Sequence, residues 1–302
     1  MEKIMVGKSD VKLSEKVLLA SLNVSCWTGR AFDETVTTKL ASIENVDSKA
    51  GRYNKALLPQ KPEQFTLLIN QGNEIRQKFR DMTLAYQQDG IRLMPVKMYL
   101  AWTEYLQQQM ELREKLVKDF IDAYPCMVDE ACGILKGLYK PSDYPHPTHL
   151  PEKFKIANSF LPFTDLENIS LSLNKVDLDR LKVSIANANA ESISSCNNEI
   201  IQRLFSAVLK LAERSCADAG RFHKSCLEHL KMEVELIPQL NFLDDEQINS
   251  FVQEASQLLI FDTEAIRSSP EIKNHVSKHA VSLAENMAES YGLSFDDSFL
   301  AA

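Results

Sequence analysis

Two runs of regularly spaced residues constrain the fold of this 302-residue chain more than any other feature. In both runs the steps between successive positions alternate between four and three residues, which is the spacing of one stripe along an α-helix. The runs consist of Leu68, Gly72, Ile75, Phe79, Met82 and Tyr86, and of Leu106, Met110, Arg113, Val117, Phe120 and Tyr124. Each run therefore predicts a long helix with a heptad seam, as in a coiled coil.

Signals at the ends of the two runs indicate how the helices are connected. Pro62 suits the start of the first helix, Asp89-Gly90 suits its end, and Pro125 suits the end of the second. Each helix would contain about 26–30 residues and measure ~40–45 Å. Since the connection at about 90–95 is short, the sequence predicts a long antiparallel αα-hairpin.

The scarcity of glycine also favours helices. The nine glycines among 302 residues are about 3% of the chain, against a usual ~7%. Glycine supplies the left-handed turns and close backbone approaches that sheets and phosphate-binding loops need. The G-x-x-x-x-G-K-[ST], G-x-G-x-x-G and G-x-S-x-G motifs are absent from the sequence. We therefore expect no nucleotide hydrolase or dinucleotide enzyme of the standard kinds, no catalytic residues and no cofactor.

Outside the hairpin, the sequence indicates two strands and further helices. The β-branched and aromatic content of 16–27 predicts a strand, and 153–162 is expected to supply its partner. Short helices are expected over 33–44 and over 128–138. The C-terminal part is helical, and its last helix has Ser269 as N-cap, followed by Pro270, and ends at Gly292.

These elements predict a mainly α fold. We expect an elongated antiparallel helical bundle that contains the long αα-hairpin and a small strand-containing N-terminal portion. The expected division is an N-terminal strand and turn segment packing on the body over 1–60, the helical hairpin with a proline-rich connector over 61–165, and a C-terminal helical bundle over 166–302. The three segments could also form one continuous domain.

Charge and hydropathy exclude some function classes. The chain has 42 acidic and 34 basic side chains, a net charge of −8 and a pI near 5.4. This acidic balance disfavours nucleic-acid binding, which depends on neutralising phosphates. The apolar stretches are shorter than the ~18 residues of a membrane-spanning helix, and the first residues do not resemble a signal peptide. We expect a cytoplasmic protein without membrane contact, with its six cysteines reduced.

Four residues near the proline-rich connector have side chains that zinc accepts. Cys126 and Cys132 precede His146 and His149 in the sequence. The five residues between the cysteines exceed the usual spacing of two to four, which weakens the pattern. The alternative is a connector whose histidines are solvated and whose cysteines pack as small apolar residues.

A polar cluster in the N-terminal portion is the most suggestive candidate for a binding site. Arg52 and Lys55 could hold a phosphate or carboxylate, and Tyr53 between them could stack on a ligand. Arg30, in a second polar motif, is the fourth candidate. The alternative is a docking segment whose Arg and Lys side chains pair with acidic residues of the chain itself.

Several motifs occur in an order that resembles a family. They are Asn23-Val-Ser-Cys-Trp-Thr-Gly-Arg30, Gly51-Arg-Tyr-Asn-Lys-Ala-Leu-Leu-Pro59, Asp89-Gly-Ile-Arg-Leu-Met-Pro95, Ala123-Tyr-Pro125 and Asp143-Tyr-Pro145. As an ordered set they are similar to hypothetical phage and prophage proteins of unknown function, over about 20–165. Cys26 stands where that pattern has an aliphatic residue. The resemblance implies a phage origin, action in the host cytoplasm, and genes near those of MoxR-type ATPases and von Willebrand-type metal-site proteins. It implies no catalytic residue.

Three functional hypotheses follow. The leading one is a non-enzymatic phage protein that acts by protein–protein interaction through the long hairpin and its acidic faces. It would self-associate as a homo-oligomer, engage a host, phage or defence factor, or serve as an adaptor to an AAA ATPase. The second is a protein that handles single-stranded nucleic acid through Arg52, Tyr53 and Lys55. The third is a metal-dependent enzyme built on Cys126, Cys132, His146 and His149.

Overall fold

The computed structural model describes residues 12–87, 90–165, 171–216 and 222–295. Its helices are α1 (Leu13–Lys16), α2 (Glu34–Glu44), α3 (Glu63–Asp81), α4 (Val96–Leu135), α5 (Lys175–Cys216), α6 (Lys224–Leu240), α7 (Glu246–Gln257), α8 (Thr263–Ser268) and α9 (Pro270–Tyr291). Its strands are β1 (Val17–Val24), β2 (Arg30–Phe32), β3 (Asn54–Ala56), β4 (Leu84–Ala85), β5 (Arg92–Pro95) and β6 (Ile156–Pro162). The predicted mainly α class is confirmed. Within the described ranges, no helix combines the length and apolar composition needed to cross a membrane.

Contacts divide the chain into two units, each assembled from separate stretches. The first unit comprises Met1–Ser21, Arg80–Trp102 and Ser159–Ala302, and the second comprises Leu22–Phe79 and Thr103–Asn158. The sequence predicts three consecutive segments instead, and that division stays a prediction.

The strands of the first unit form an antiparallel sheet in the order β4-β5-β1-β6. In its register Val17 lies opposite Pro95, and Ala20 lies opposite Arg92. The predictions of a strand over 16–27 and of a partner strand over 153–162 are confirmed as β1 and β6. The sequence did not indicate β4 and β5, which pair with each other.

The helical core of the first unit forms where α5 packs against α6, α7 and α9. Buried apolar side chains line the inner faces of α5 and α9: Cys196, Ile200, Leu204, Val208, Leu211, Val276, Ala280, Leu283 and Met287. The predicted ends of α9 are confirmed. The Ser269 hydroxyl accepts the Ile272 N–H at 3.3 Å, and Gly292 ends the helix with a left-handed φ of 63°.

The first predicted hairpin helix is shorter than expected. α3 ends at Asp81 after 19 residues, so the predicted seam positions Met82 and Tyr86 lie beyond it. The backbone after α3 pairs as a strand instead, with Leu84 opposite Leu93. Gly90 has a left-handed φ of 97° in the turn between β4 and β5 rather than at a helix end, and Asp89 lies outside the described residues.

The second predicted hairpin helix is longer than expected, and Pro125 does not end it. α4 runs for 40 residues with this proline inside it, and it includes most of the separate helix predicted over 128–138. Proline in a helix interior costs about 3 kcal/mol. Tyr124 and Met127, on either side of Pro125, are both buried in one apolar core. This packing offsets the local cost.

Aromatic side chains from α3, α4 and the loop after β1 form the core of the second unit. The ring of Trp27 lies 5.7 Å from that of Phe65 and 6.0 Å from that of Tyr124, with the planes steeply inclined. Phe120 also contacts Phe154 edge to face, at 5.5 Å between centroids. Such edge-to-face pairs add to the stabilisation that burial gives.

A buried arginine holds together the backbone around this core. Arg113 of α4 is only 4% exposed. Its guanidinium donates to the backbone oxygens of Phe154, Leu68 and Ser25 at 3.1, 2.9 and 2.8 Å, and to the side-chain oxygen of Gln71 at 3.2 Å. Burial lowers the pKa of Arg113. The planar fork of donors therefore links four chain segments at one point.

Candidate interaction surface on α2

The four candidate binding residues lie on or beside a two-stranded sheet in the second unit. β2 and β3 pair antiparallel, with Arg30 opposite Ala56 and Ala31 opposite Lys55. Gly29, just before β2, has a left-handed φ of 60°, and an added Cβ there would meet the Phe65 ring at 3.0 Å. Only glycine suits this close turn.

Lys55 of β3 is the centre of a buried ion cluster. Its Nζ lies 3.1 Å from the Oδ2 of Asp33 and 2.7 Å from the Oδ2 of Asp143. The same nitrogen donates to the backbone oxygen of Leu138 at 2.6 Å. The side chains of Lys55 and Asp33 are each 1% exposed. The Lys55 ammonium therefore meets two carboxylates and one backbone oxygen of the chain itself.

The charges in this cluster stabilise one another. The Val36 N–H and the Lys55 ammonium hold the pKa of Asp33 below its usual 3.8, outweighing desolvation. Burial acts to lower the pKa of Lys55, but Asp143 and Asp33 outweigh it and raise that pKa above its usual 10.5. Both groups are consequently charged at neutral pH.

The ion cluster fixes the start of helix α2. Asp33 is the N-cap, and its Oδ1 accepts the Val36 N–H at 3.2 Å. The backbone N–H of Asp33 donates to the backbone oxygen of Tyr53 at 3.0 Å. The Tyr53 N–H in turn donates to the Thr37 hydroxyl at 3.0 Å. Lys55 and Tyr53 thus hold α2 in place through Asp33 and Thr37.

Apart from this attachment, α2 is open to solvent. Thr37 is the only buried residue of the helix. The exposed fractions of Leu40, Ile43 and the following Val46 are 46%, 73% and 53%. Leu40 and Ile43 lie one turn apart on the same face as Val36. We call the face formed by Leu40, Ile43 and Val46 the α2 apolar face.

A cleft of about 260 Å³ lies beside this face. Leu40 and Val46 contribute its apolar lining, and Arg52 and Tyr53 contribute polar lining. The guanidinium carbon of Arg52 lies 4.6 Å from the centroid of the Phe32 ring, a cation–π arrangement. The motif that suggested a ligand site therefore forms one wall of a surface depression.

The four candidate residues differ in what they offer to a ligand. The Nζ of Lys55 lies within 3.1 Å of oxygens of Asp33, Asp143 and Leu138, and its role in binding a ligand stays a prediction. Lys55 pairs with two acidic residues of the chain itself, Asp33 and Asp143, as the alternative interpretation of the motif predicts. Arg30 is exposed on β2.

The four candidate metal ligands do not form a metal site. Cys126 and Cys132 are exposed. His146 and His149 have ring centroids 6.2 Å apart, and the Nδ1 of His146 lies 2.8 Å from the Thr148 hydroxyl. Among the described residues, no three His, Cys, Asp or Glu side chains are grouped to hold a metal ion.

Sequence reasoning missed two elements of this surface. The ion cluster depends on Asp143, which in the sequence stands only before a Tyr-Pro pair. The α2 apolar face was visible as the spacing of Val36, Leu40 and Ile43, but the same spacing also suits a buried helix. Only the tertiary contacts distinguish the two cases.

The ion cluster predicts a specific dependence of stability on pH. Because the pKa of Asp33 is lowered in the folded chain, its contribution is present above about pH 4 and is lost as the pH falls through the folded-state pKa. The advantage of the wild type over Asp33→Asn in free energy of unfolding should therefore shrink between about pH 6 and about pH 3. Urea unfolding across this range measures it, and a constant difference would contradict the role of the Asp33 charge.

We compared the chain with known proteins at the levels of family, sequence and structure. No protein-family model, no curated protein and no solved structure matches it.

Proposed function

We propose that this chain is a non-enzymatic phage protein that acts in the host cytoplasm by protein–protein interaction through the α2 apolar face. The partner is a second copy of the chain, a host or defence factor, or an AAA ATPase of the MoxR type. The ordered motifs described above motivate the phage assignment. The observation that supports the interaction is the exposure of Leu40 and Ile43 on a helix that a buried ion cluster holds in place, with Val46 exposed just after the helix.

The α2 apolar face has the features of helix-in-groove recognition. Leu40 and Ile43 supply anchors about one helical turn apart, and such anchors fill an apolar groove of a partner. When a partner covers an exposed apolar face, apolar surface is removed from water, and this makes the free energy of association more favourable. Because Asp33 and Lys55 fix the start of the helix, little conformational entropy remains to be lost on binding.

The long helix α4 offers a second, acidic surface for the same function. Glu104, Glu111, Asp119 and Asp122 are exposed along it and outnumber the exposed lysines of the same stretch, Lys115 and Lys118. Within the second unit, hydrogen bonds join Gln71 of α3 to Gln109 of α4. We interpret the pair α3–α4 as the antiparallel hairpin expected from the sequence, with its acidic face steering a cationic partner surface towards the chain. The elongated bundle stays a prediction.

Charge placed on the α2 apolar face should abolish the interaction without unfolding the chain. For the double variant Leu40→Glu, Ile43→Glu, we expect at least about a tenfold loss of self-association or partner retention, since a carboxylate buried in an apolar interface is costly. Both side chains are exposed, so Tm should change by less than about 2 °C.

Sedimentation velocity and quantitative pull-down from host lysate measure this effect. The matched control is Ile260→Glu, because Ile260 is 74% exposed and Ile43 is 73% exposed. A wild type that remains monomeric and retains no partner, or retention that both variants reduce equally, would rule out the proposed surface.

A further inference from the structure

Part of the apolar seam of α4 is not covered by the rest of the second unit. The seam positions Arg113 and Phe120 are buried, but Met110 is 40% exposed and Val117 is half-buried. Both line a cleft of about 450 Å³. The size falls within the range of about 300–1,000 Å³ that is typical of small-molecule sites.

The opposite wall of this cleft is also apolar. The segment leading into β6 contributes Pro151 and Phe154, and β6 contributes Ile156. Ile121 extends the apolar wall on the α4 side. Phe154 is nearly fully buried and packs against the aromatic core, so this wall is held in place. The cleft therefore presents an apolar surface that exists before any ligand arrives.

Positive charge predominates among the polar groups of the cleft. Arg113, Lys118 and Lys155 line it, against one carboxylate from Glu114. Glu152 pairs with Lys155 at 3.0 Å. Among the described residues, Lys118 forms no ion pair. This local balance is the reverse of the chain's net charge of −8.

The two unpaired cations have different roles. The guanidinium donors of Arg113 go to uncharged oxygens and to the Cys26 sulfur, so no carboxylate neutralises its charge. A buried positive charge of this kind acts through a low-dielectric interior and attracts anions. Lys118, exposed at the cleft, has free N–H donors and can bond an anion directly.

We propose that this cleft binds a small amphipathic anion, namely a carboxylate that carries an unbranched apolar chain. The alkyl chain of the ligand lies along Met110, Val117 and Ile121, and its carboxylate meets Lys118 under the positive potential of Arg113. The apolar lining suits an alkyl chain, and the positive charge of the lining suits a negatively charged head group. This site is separate from the α2 apolar face and does not depend on its function.

Calorimetric titration of the full chain with two amphiphiles of equal chain length and opposite charge tests the proposal. We expect dodecanoate to bind with a Kd below about 1 mM, and at least about tenfold more tightly than dodecyltrimethylammonium. Lys118→Glu should weaken dodecanoate at least about tenfold at low salt. Lys115→Glu, which alters an exposed lysine of α4 outside the cleft, should not.

Three results would overturn the proposal. They are no dodecanoate binding up to about 1 mM, equal affinity for the two amphiphiles, and an affinity for dodecanoate that Lys118→Glu leaves unchanged. Circular dichroism of each variant establishes that it is folded. Because Lys118 and Lys115 are both exposed, neither substitution is expected to unfold the chain.

Discussion

Replacing Arg113 by methionine should lower the free energy of unfolding of the second unit by about 3–5 kcal/mol. Methionine fills much of the same volume, but it donates no hydrogen bonds. The backbone oxygens of Phe154, Leu68 and Ser25 would lose their guanidinium donor. Each buried acceptor left without a partner costs about 1–3 kcal/mol, and relief of the arginine's own desolvation offsets part of the total.

Arg113→Lys should rescue little of this loss. Lysine has three donors on a flexible stem and cannot reproduce the planar fork that reaches four acceptors. Lys115→Met on the exposed side of α4 is the control, with an expected change within about 0.5 kcal/mol. Urea unfolding measures all three variants. An Arg113→Met chain within about 1 kcal/mol of the wild type would contradict a structural role for the guanidinium network.

Replacing Lys55 by methionine should lower Tm by about 6–12 °C. The substitution leaves the buried carboxylate of Asp33 with only the half-exposed Lys140 ammonium, 3.7 Å from its Oδ2, and a buried charge that loses its closest partner is destabilising. Asp33→Asn should cost less, because asparagine still accepts the Val36 N–H as an N-cap. The double variant Asp33→Asn, Lys55→Met should be more stable than Lys55→Met alone, since it removes the buried Asp33 charge that has lost its closest cation.

Thermal unfolding of the three variants, followed by circular dichroism, provides the measurement. Lys49→Met, at an exposed position of the loop after α2, is the matched control and should shift Tm by no more than about 2 °C. If Lys55→Met and Lys49→Met unfold at the same temperature, the ion cluster does not hold α2 in place.

Local signals were sufficient to predict the elements whose ends are decided by neighbouring residues. Ser269 and Gly292 mark the ends of α9, and Asp33 marks the start of α2. In each case a side-chain acceptor or a left-handed glycine satisfies backbone groups within a few residues. Such capping interactions are local, so they do not depend on contacts with distant segments of the chain.

Local signals failed where contacts between distant segments decide the structure. Proline lacks the backbone N–H that a helix interior uses, so Pro125 locally predicts a helix end. α4 nevertheless continues, because Tyr124 and Met127 on either side of Pro125 are buried. Met82 and Tyr86 continue the helical seam by spacing, yet the backbone between them pairs as a strand, with Leu84 opposite Leu93. Periodicity describes a stripe of apolar residues without describing which surface covers the stripe.

The candidate site divides in the same way. The sequence identified the polar motif at Arg52, Tyr53 and Lys55, but the partners of Lys55 come from separate segments. Asp143 reaches it from the proline-rich connector. From local sequence, a lysine among polar residues suggests a ligand site, because its carboxylate partners in distant segments cannot be identified. The exposure of Ile43 likewise depends on what packs against α2, which spacing alone does not specify.

The most direct test of the α2 apolar face is site-specific photo-crosslinking in cells that express the chain. The crosslinker p-benzoylphenylalanine is placed at position 43 in one sample and at position 260 in another, since both isoleucines are exposed to the same degree. Mass spectrometry then identifies the adducts. Our account predicts one dominant adduct from position 43, to a second copy or to one other protein, and none of that adduct from position 260. No adduct from position 43, or the same adducts from both positions, would contradict it.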